Sequence, residues 1–225
     1  MSGKTILSIT GVLGVGKTTF IKHLQQMYPS ATYIAEPVDQ WMNLRDQVTG
    51  ENLLDRFYKD MKRYSYSFEN VAFITRLNLL IDALDRQDST TIVLDGSLAT
   101  DRNVYAQMLH DDGMMDSLEW SAYNLWSHFY EQHVRQNKIY YLYLRCDPKI
   151  IMERVGKRGR PEEKNLDIKY LIKLQSYLDR WAEEKKGEIL IYDFSCEEGS
   201  PPYNQILTDI SQLLGGAKLP QTPVV

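Results

Sequence analysis

Residues 11–18 read Gly-Val-Leu-Gly-Val-Gly-Lys-Thr, with Thr19 next, which is the spacing G-x-x-x-x-G-K-T. Gly11, Gly14 and Gly16 let successive backbone N–H groups close on an anion with no Cβ in the way. The helix that starts here adds its positive N-terminal end. Lys17 has the reach for β- and γ-phosphates, and the Thr18 hydroxyl can ligate Mg²⁺. The flanks are those that a phosphate loop needs. An apolar run (Ile6, Leu7, Ile9) precedes it, and a helical pattern (Phe20, Ile21, Leu24, Met27) follows. An accidental Gly-rich turn has no reason to carry both, so the stretch predicts binding of a nucleoside triphosphate.

Other residues could act on that triphosphate. Glu36-Pro37 closes an apolar run, and the proline keeps the run from continuing. Glu36 is either a surface carboxylate at a strand end or, beside a phosphate loop, a general base. Asp95 closes another run, Thr91–Asp95, and reads as an acid of the Mg²⁺ shell or as half of an Asp-Gly turn. Residues 154–163 hold Arg154, Lys157, Arg158 and Arg160 with two glycines, then Glu162 and Glu163. They read as a mobile cationic lid over 154–165, or as a solvated basic loop. Guanidinium forks pair two phosphoryl oxygens and stay charged. Glu69 and Arg76 are seven residues apart, two helical turns on one face, with Phe68 and Phe73 nearby. Such a face can sandwich a base and read its edge. The four histidines form no cluster, and no Ser-His-Asp or zinc pattern is visible.

These residues need elements to position them. Apolar runs at 6–9, 31–35, 91–94, 139–144 and 189–192 alternate with helical patterns. This predicts an α/β fold, a five-stranded parallel sheet with helices on both faces. Ligands of such sheets sit at the carboxyl ends of the strands, where the phosphate loop, Glu36, Asp95, Arg145-Cys146-Asp147 and Asp193-Phe194 all fall. Residues 52–86 read as helix with a break near 60–63. Residues 116–134 form a helix rich in aromatics, either core or a dimer face. Nothing divides the chain, so one domain over 1–214 and a flexible tail over 215–225 are expected.

Composition narrows the partners. The chain has 225 residues, 43% of them hydrophobic, and a net charge of −4. That charge gives no reason to expect a nucleic acid polymer or an anionic membrane as partner. Two cysteines in no metal spacing point to a reducing compartment. With no long apolar run and no leader-like start, a cytoplasmic location is expected.

Taken in order, these motifs resemble the deoxynucleoside kinases, the family of deoxycytidine, deoxyguanosine and multisubstrate kinases. The resemblance rests on the phosphate loop, Glu36-Pro37-Val38 with Trp41, Tyr58 before an aromatic helix, Arg76, Asp95-Gly-Ser97 to Asp101-Arg102, Glu119-Trp120 and the 154–163 segment. It implies a phosphate-loop nucleoside kinase fold, ATP as phosphate donor with Mg²⁺, and a deoxynucleoside as acceptor. By that resemblance Glu36 takes the proton of the sugar 5′-hydroxyl. Lys17, Arg154, Arg158 and Arg160 hold the phosphates, and Thr18 and Asp95 set the metal. Tyr58 and Glu163 bind the 3′-hydroxyl, and Trp41 and Phe68 line the base pocket. Glu69, Arg76 and Asp101 face the base edge, and Asp193 and Phe194 border the donor adenine. A homodimer through the aromatic helices is also implied.

Three departures stand out. The family's Glu-Arg-Ser is Asp95-Gly96-Ser97 here, so the acid is shorter and an arginine at the 5′ end is missing. Either a lid arginine substitutes or activity is weak. The family's base-reading Gln is Glu69, which accepts only if ionised, offers a proton if neutral, or pairs with Arg76. Replacing it by Gln is expected to change the ranking of bases. Asp101-Arg102 leans away from thymidine. A nucleoside monophosphate kinase of thymidylate kinase type and a catalytically weak nucleotide-binding relative remain as alternatives. A GTPase does not fit, because Asn137-Lys138-Ile139-Tyr140 lacks the guanine-reading Asp.

Overall fold

The computed structural model describes residues 3–159 and 166–216. Its strands are β1 (Thr5–Thr10), β2 (Thr32–Ile34), β3 (Thr91–Asp95), β4 (Lys138–Arg145) and β5 (Ile189–Asp193). They form one sheet in the order β2-β3-β1-β4-β5, every pair parallel. Parallel strands covered on both faces must be apolar along their length, which is why each was visible as a short continuous run. The exception in extent is β2, expected over 31–35 but pairing only along Thr32–Ile34, where it meets β3.

Helices α1 (Lys17–Met27), α2 (Val38–Asn43), α3 (Leu53–Lys59) and α4 (Met61–Asp85) occupy the first half. Asp60 breaks the expected long helix. Its own backbone is non-helical, and its carboxylate accepts from Arg63 N at 3.1 Å, capping α4. After β3 come a short turn of helix, α5 (Leu98–Thr100), a π-helical segment (Asp101–Ala106), α6 (Gln107–Asp111) and α7 (Ser117–Val134). Helices α8 (Pro148–Arg158), α9 (Ile168–Glu184) and α10 (Pro201–Leu214) complete the chain.

Strand alternation divides the core in two. Leu7, Ile9 and Val93 pack with Phe20 and Leu24 of α1, Leu174 and Leu178 of α9 and Ile210 of α10. Ile6, Ile92 and Leu94 face the other way, onto Phe73, Leu77 and Leu80 of α4 and Tyr123 and Tyr130 of α7. The register sets Ile9 beside Asp95, and Gly96 N donates to Ile9 O at 2.9 Å. The ends of β1 and β3 are thereby held level, and the phosphate loop and Asp95 leave the sheet together.

Candidate active site

At the carboxyl ends of β1, β2 and β3 lies a cavity of about 840 Å³. That falls within the 300–1,000 Å³ typical of small-ligand sites. One end is the phosphate loop. Gly14, Gly16, Lys17, Thr18 and Thr19 line it. Gly14 has φ +81°, and a Cβ there would collide with the Val155 side chain of α8, so only glycine fits. Gly11 lies behind the lining. Its carbonyl accepts from Lys17 Nζ at 3.0 Å and from the Tyr105 hydroxyl at 3.1 Å.

Thr18 Oγ1 donates to Asp95 Oδ2 at 2.7 Å. Asp95 is 5% exposed, and its Oδ1 has no hydrogen-bond partner. Burial pushes this carboxyl above its ordinary range, and the Lys17 ammonium opposes the rise. A buried carboxylate oxygen left without a donor, next to a hydroxyl, is a hard-oxygen set suited to Mg²⁺. Among the described residues no cluster of three or more His, Cys, Asp or Glu is arranged to enclose a metal.

The opposite end is acidic and aromatic. Glu36, at the end of β2, and Asp101, opening the π-helical segment, are joined by one guanidinium. Arg76 Nη2 donates to Glu36 Oε1, and Nη1 donates to Asp101 Oδ2 at 2.9 Å. The guanidinium lies 4.9 Å from the Trp41 ring. Phe68 meets Trp41 edge-on at 5.5 Å and stacks on Phe57 at 4.6 Å, while Tyr58 lies edge-on to Phe57 at 5.2 Å. Trp41 is fixed by its own N–H, which donates to Thr75 Oγ1 at 2.9 Å.

Glu69 also faces this end of the cavity and is 4% exposed. Burial pushes its carboxyl well above the usual range, the Asp101 charge adds to the rise, and Arg76 opposes it. Asp101 is itself raised, to about 6, by burial, against the pull of Arg76. Burial therefore favours the protonated carboxyl, which has one O–H to donate and an oxygen to accept. Of the readings open from sequence, an ion pair with Arg76 is not formed: the ion pairs of Arg76 go to Glu36 and Asp101.

The expected lid is corrected at its start. Residues 154–158 belong to the last turn of α8, and Gly159 ends that helix at φ +64°. Arg154 borders the cavity, but its guanidinium is bound to main chain, to Val15 O at 2.7 Å, Phe194 O at 3.2 Å and Cys196 O at 2.8 Å. It ties α8 to the phosphate loop and to the turn after β5. Arg158 lines the cavity from the exposed end of α8. Arg160 and Glu163 lie outside the described residues. Phe194 lines the cavity and packs edge-on against Phe20 at 5.6 Å. Asp193 does not line it, and its carboxylate accepts from Ser195 N at 2.9 Å. Sequence reasoning missed Phe57, Tyr105 and Tyr170, which also line the cavity. Phe57 sits beside Tyr58 and was within reach. Tyr105 lies one helical turn after Asp101. Tyr170 comes from α9 and carried no local signal.

Sequence comparison with known proteins points to one family. The deoxynucleoside kinase family model matches residues 7–214. A probable deoxycytidine kinase of fowlpox virus is 34% identical over 178 residues, covering 79% of this chain and 72% of the relative. The mitochondrial deoxyguanosine kinase of Xenopus laevis is 30% identical, covering 81% and 75%. Human deoxycytidine kinase is 26% identical, covering 78% and 74%. A phosphate loop, an acid at the end of β2 and an aromatic pocket thus share one cavity in a chain that matches one family almost end to end: this protein belongs to the deoxynucleoside kinases, ATP-dependent phosphotransferases acting on deoxynucleosides.

Proposed function

We propose that Glu36 is the general base and that the acceptor is a deoxynucleoside whose base carries an exocyclic amino group. The carrying observation is that Glu36 lies in one cavity with Lys17 and Thr18 on one side and with Trp41, Phe68 and Glu69 on the other. The sugar 5′-hydroxyl gives its proton to the Glu36 carboxylate as its oxygen bonds to the γ-phosphorus. The bond from that phosphorus to the β,γ-bridging oxygen breaks, and ADP leaves. Lys17 and Arg158, with Arg160 beyond the described residues, compensate the charge that shifts between the oxygens. Arg154 acts indirectly, by holding the phosphate loop. Thr18 and Asp95 would hold Mg²⁺, which when bound neutralises phosphate charge.

On the acceptor side, Trp41, Phe68 and Phe57 enclose the base. Asp101 accepts an amino N–H, and the neutral Glu69 offers its proton to a ring nitrogen, a pairing suited to cytosine or adenine. Tyr58, with Glu163, binds the 3′-hydroxyl. Phe194, next to Asp193, borders the donor adenine. We also assign one kinase domain to residues 1–214, supported by two core halves packed on one sheet; the expected tail over 215–225 lies outside the described residues after 216. A cytoplasmic location is supported by two free cysteines, and among the described residues no helix is long and apolar enough to cross a membrane. ADP release measured with ATP and each of the four common deoxynucleosides tests the assignment. Deoxycytidine or deoxyadenosine should be turned over at least about 10-fold better, by kcat/KM, than thymidine, in line with one unpaired buried polar group. A preference for thymidine would overturn the base assignment, and turnover of thymidylate alone would overturn the acceptor.

A further inference from the structure

We propose that Arg76 is a positioning residue for the reaction itself, aligning the Glu36 carboxylate from α4, and that Gly96 is the residue that makes room for it. The inference rests on the reading of Glu36 as general base.

Four observations carry it. Arg76 divides its terminal nitrogens between two acids, Nη2 to Glu36 and Nη1 to Asp101. Among the described residues, no other arginine or lysine makes an ion pair with Glu36. The guanidinium lies directly over the turn after β3. A Cβ at Gly96 would come within 3.2 Å of Arg76 Nε, 3.3 Å of Nη2 and 3.6 Å of Cζ. Neither partner is free to withdraw. Gly96 is anchored by its N–H on Ile9 O at 2.9 Å and has φ +92°, and Arg76 is flanked by the Trp41 ring. A side chain at 96 would therefore shift the guanidinium by a few tenths of an ångström from the position in which it holds the Glu36 carboxylate.

The pairing explains how the site works without an arginine in the β3 turn. The arginine comes from α4 instead, and it uses the space that the missing side chain leaves. The contact to Glu36 falls on Oε1, so Oε2 remains to meet the acceptor hydroxyl. It also joins recognition to chemistry, because the guanidinium that orders Asp101 at the base edge orders the general base too. A base that engages Asp101 poorly should lower kcat as well as raise KM.

A double-mutant cycle on the full chain tests this, with Gly96→Ala, Arg76→Ala and the double variant assayed for kcat and KM and checked by thermal melting. Gly96→Ala should lower kcat on the order of 10-fold to 100-fold in the unaltered background. It should cost less than about 3-fold when Arg76 is already alanine, because no guanidinium is left to displace. Costs that multiply, or a harmless Gly96→Ala, would overturn the inference. If Gly96→Ala does not fold, Arg76→Lys decides, since an ammonium cannot serve both acids as a fork does. A fall in kcat then supports the inference, and a rise in KM with kcat unchanged overturns it. No deoxynucleoside phosphorylation by the unaltered enzyme would sink the kinase reading, which is a different result from multiplying costs.

Discussion

Glu69 is 4% exposed and feels the charges of Asp101 from the π-helical segment and of Arg76 from its own helix, with Tyr105, Tyr123 and Tyr170 also near enough to interact. Two outcomes test whether this burial keeps Glu69 a neutral acid. A glutamine presents the same donor and acceptor as a protonated glutamate, so the burial of Glu69 reverses the expectation from sequence: Glu69→Gln should leave the ranking of bases unchanged in a neutral-pH kinetic panel, and a reordered ranking would mean that Glu69 is ionised. The second outcome concerns stability. Above the pKa of an unfolded glutamate, the unfolded chain loses this proton while the folded chain keeps it. Folding then takes up a proton, and stability falls as pH rises towards the raised folded value. Glu69→Gln removes that cost, so its Tm should exceed that of the unaltered protein by a few degrees at pH 7 to 8 and match it near pH 4. An equal gain at both pH values would contradict a buried neutral acid. Glu69 and Arg76 were legible because they repeat on one helix face, whereas Asp101 was named only through the family resemblance. Their protonation was not, because the burial of Glu69 is produced by α7, α9 and the π-helical segment closing over it, and no local pattern records that. The partners of Arg76 were hidden for the same reason, since they come from 40 residues before it and 25 after.

At the scale of elements, α8 differs most from what its charge pattern implied. The basic residues of 154–158 looked like a mobile loop, yet Pro148 starts a helix there, Asp147 caps it through Lys149 N at 2.8 Å, and Gly159 closes it. Charge runs carry no information on backbone state when they occupy the exposed face of an amphipathic helix. Arg154 is the consequence. Its three bonds to carbonyls hold together the loop that binds phosphate and the turn that carries Phe194. Arg154→Ala should therefore destabilise the protein by about 1–3 kcal/mol in urea titrations, as expected for carbonyls that lose a charged donor. It should raise the KM for ATP more than it lowers kcat. A pure kcat loss with unchanged stability would mean that Arg154 touches the transferring phosphoryl group instead. The break at Asp60, in contrast, was readable, because a residue that caps one helix and ends another announces itself in composition.

Considered as a whole, the molecule gathers Lys17, Thr18, Glu36, Glu69, Arg76 and Asp101 around one cavity at the carboxyl ends of a parallel sheet. The five strands and their alternation with helices could be read because burial on both faces forces apolar runs. The strand order could not, since it depends on which crossovers skip a neighbour. Helix α7, none of whose residues lines the cavity, leaves Leu118 (77% exposed), Leu125 (72%), Phe129 (41%) and Trp126 (36%) as an uncovered apolar stripe. We propose that a second copy of the chain covers it, giving a symmetric dimer. Light scattering at micromolar concentration should give twice the chain mass of 26.2 kDa, and Leu125→Glu should return the chain mass. A monomeric unaltered protein would exclude this arrangement.

The most direct measurement concerns position 36. Glu36→Gln keeps the size and hydrogen-bonding reach of the side chain but removes its ability to take a proton. Single-turnover phosphorylation should slow on the order of 100-fold or more, while the Kd for the deoxynucleoside shifts less than about 3-fold. Phosphoryl transfer at the unaltered rate would mean that the proton leaves by another route, and that the cavity between phosphate loop and aromatic pocket does not work through Glu36.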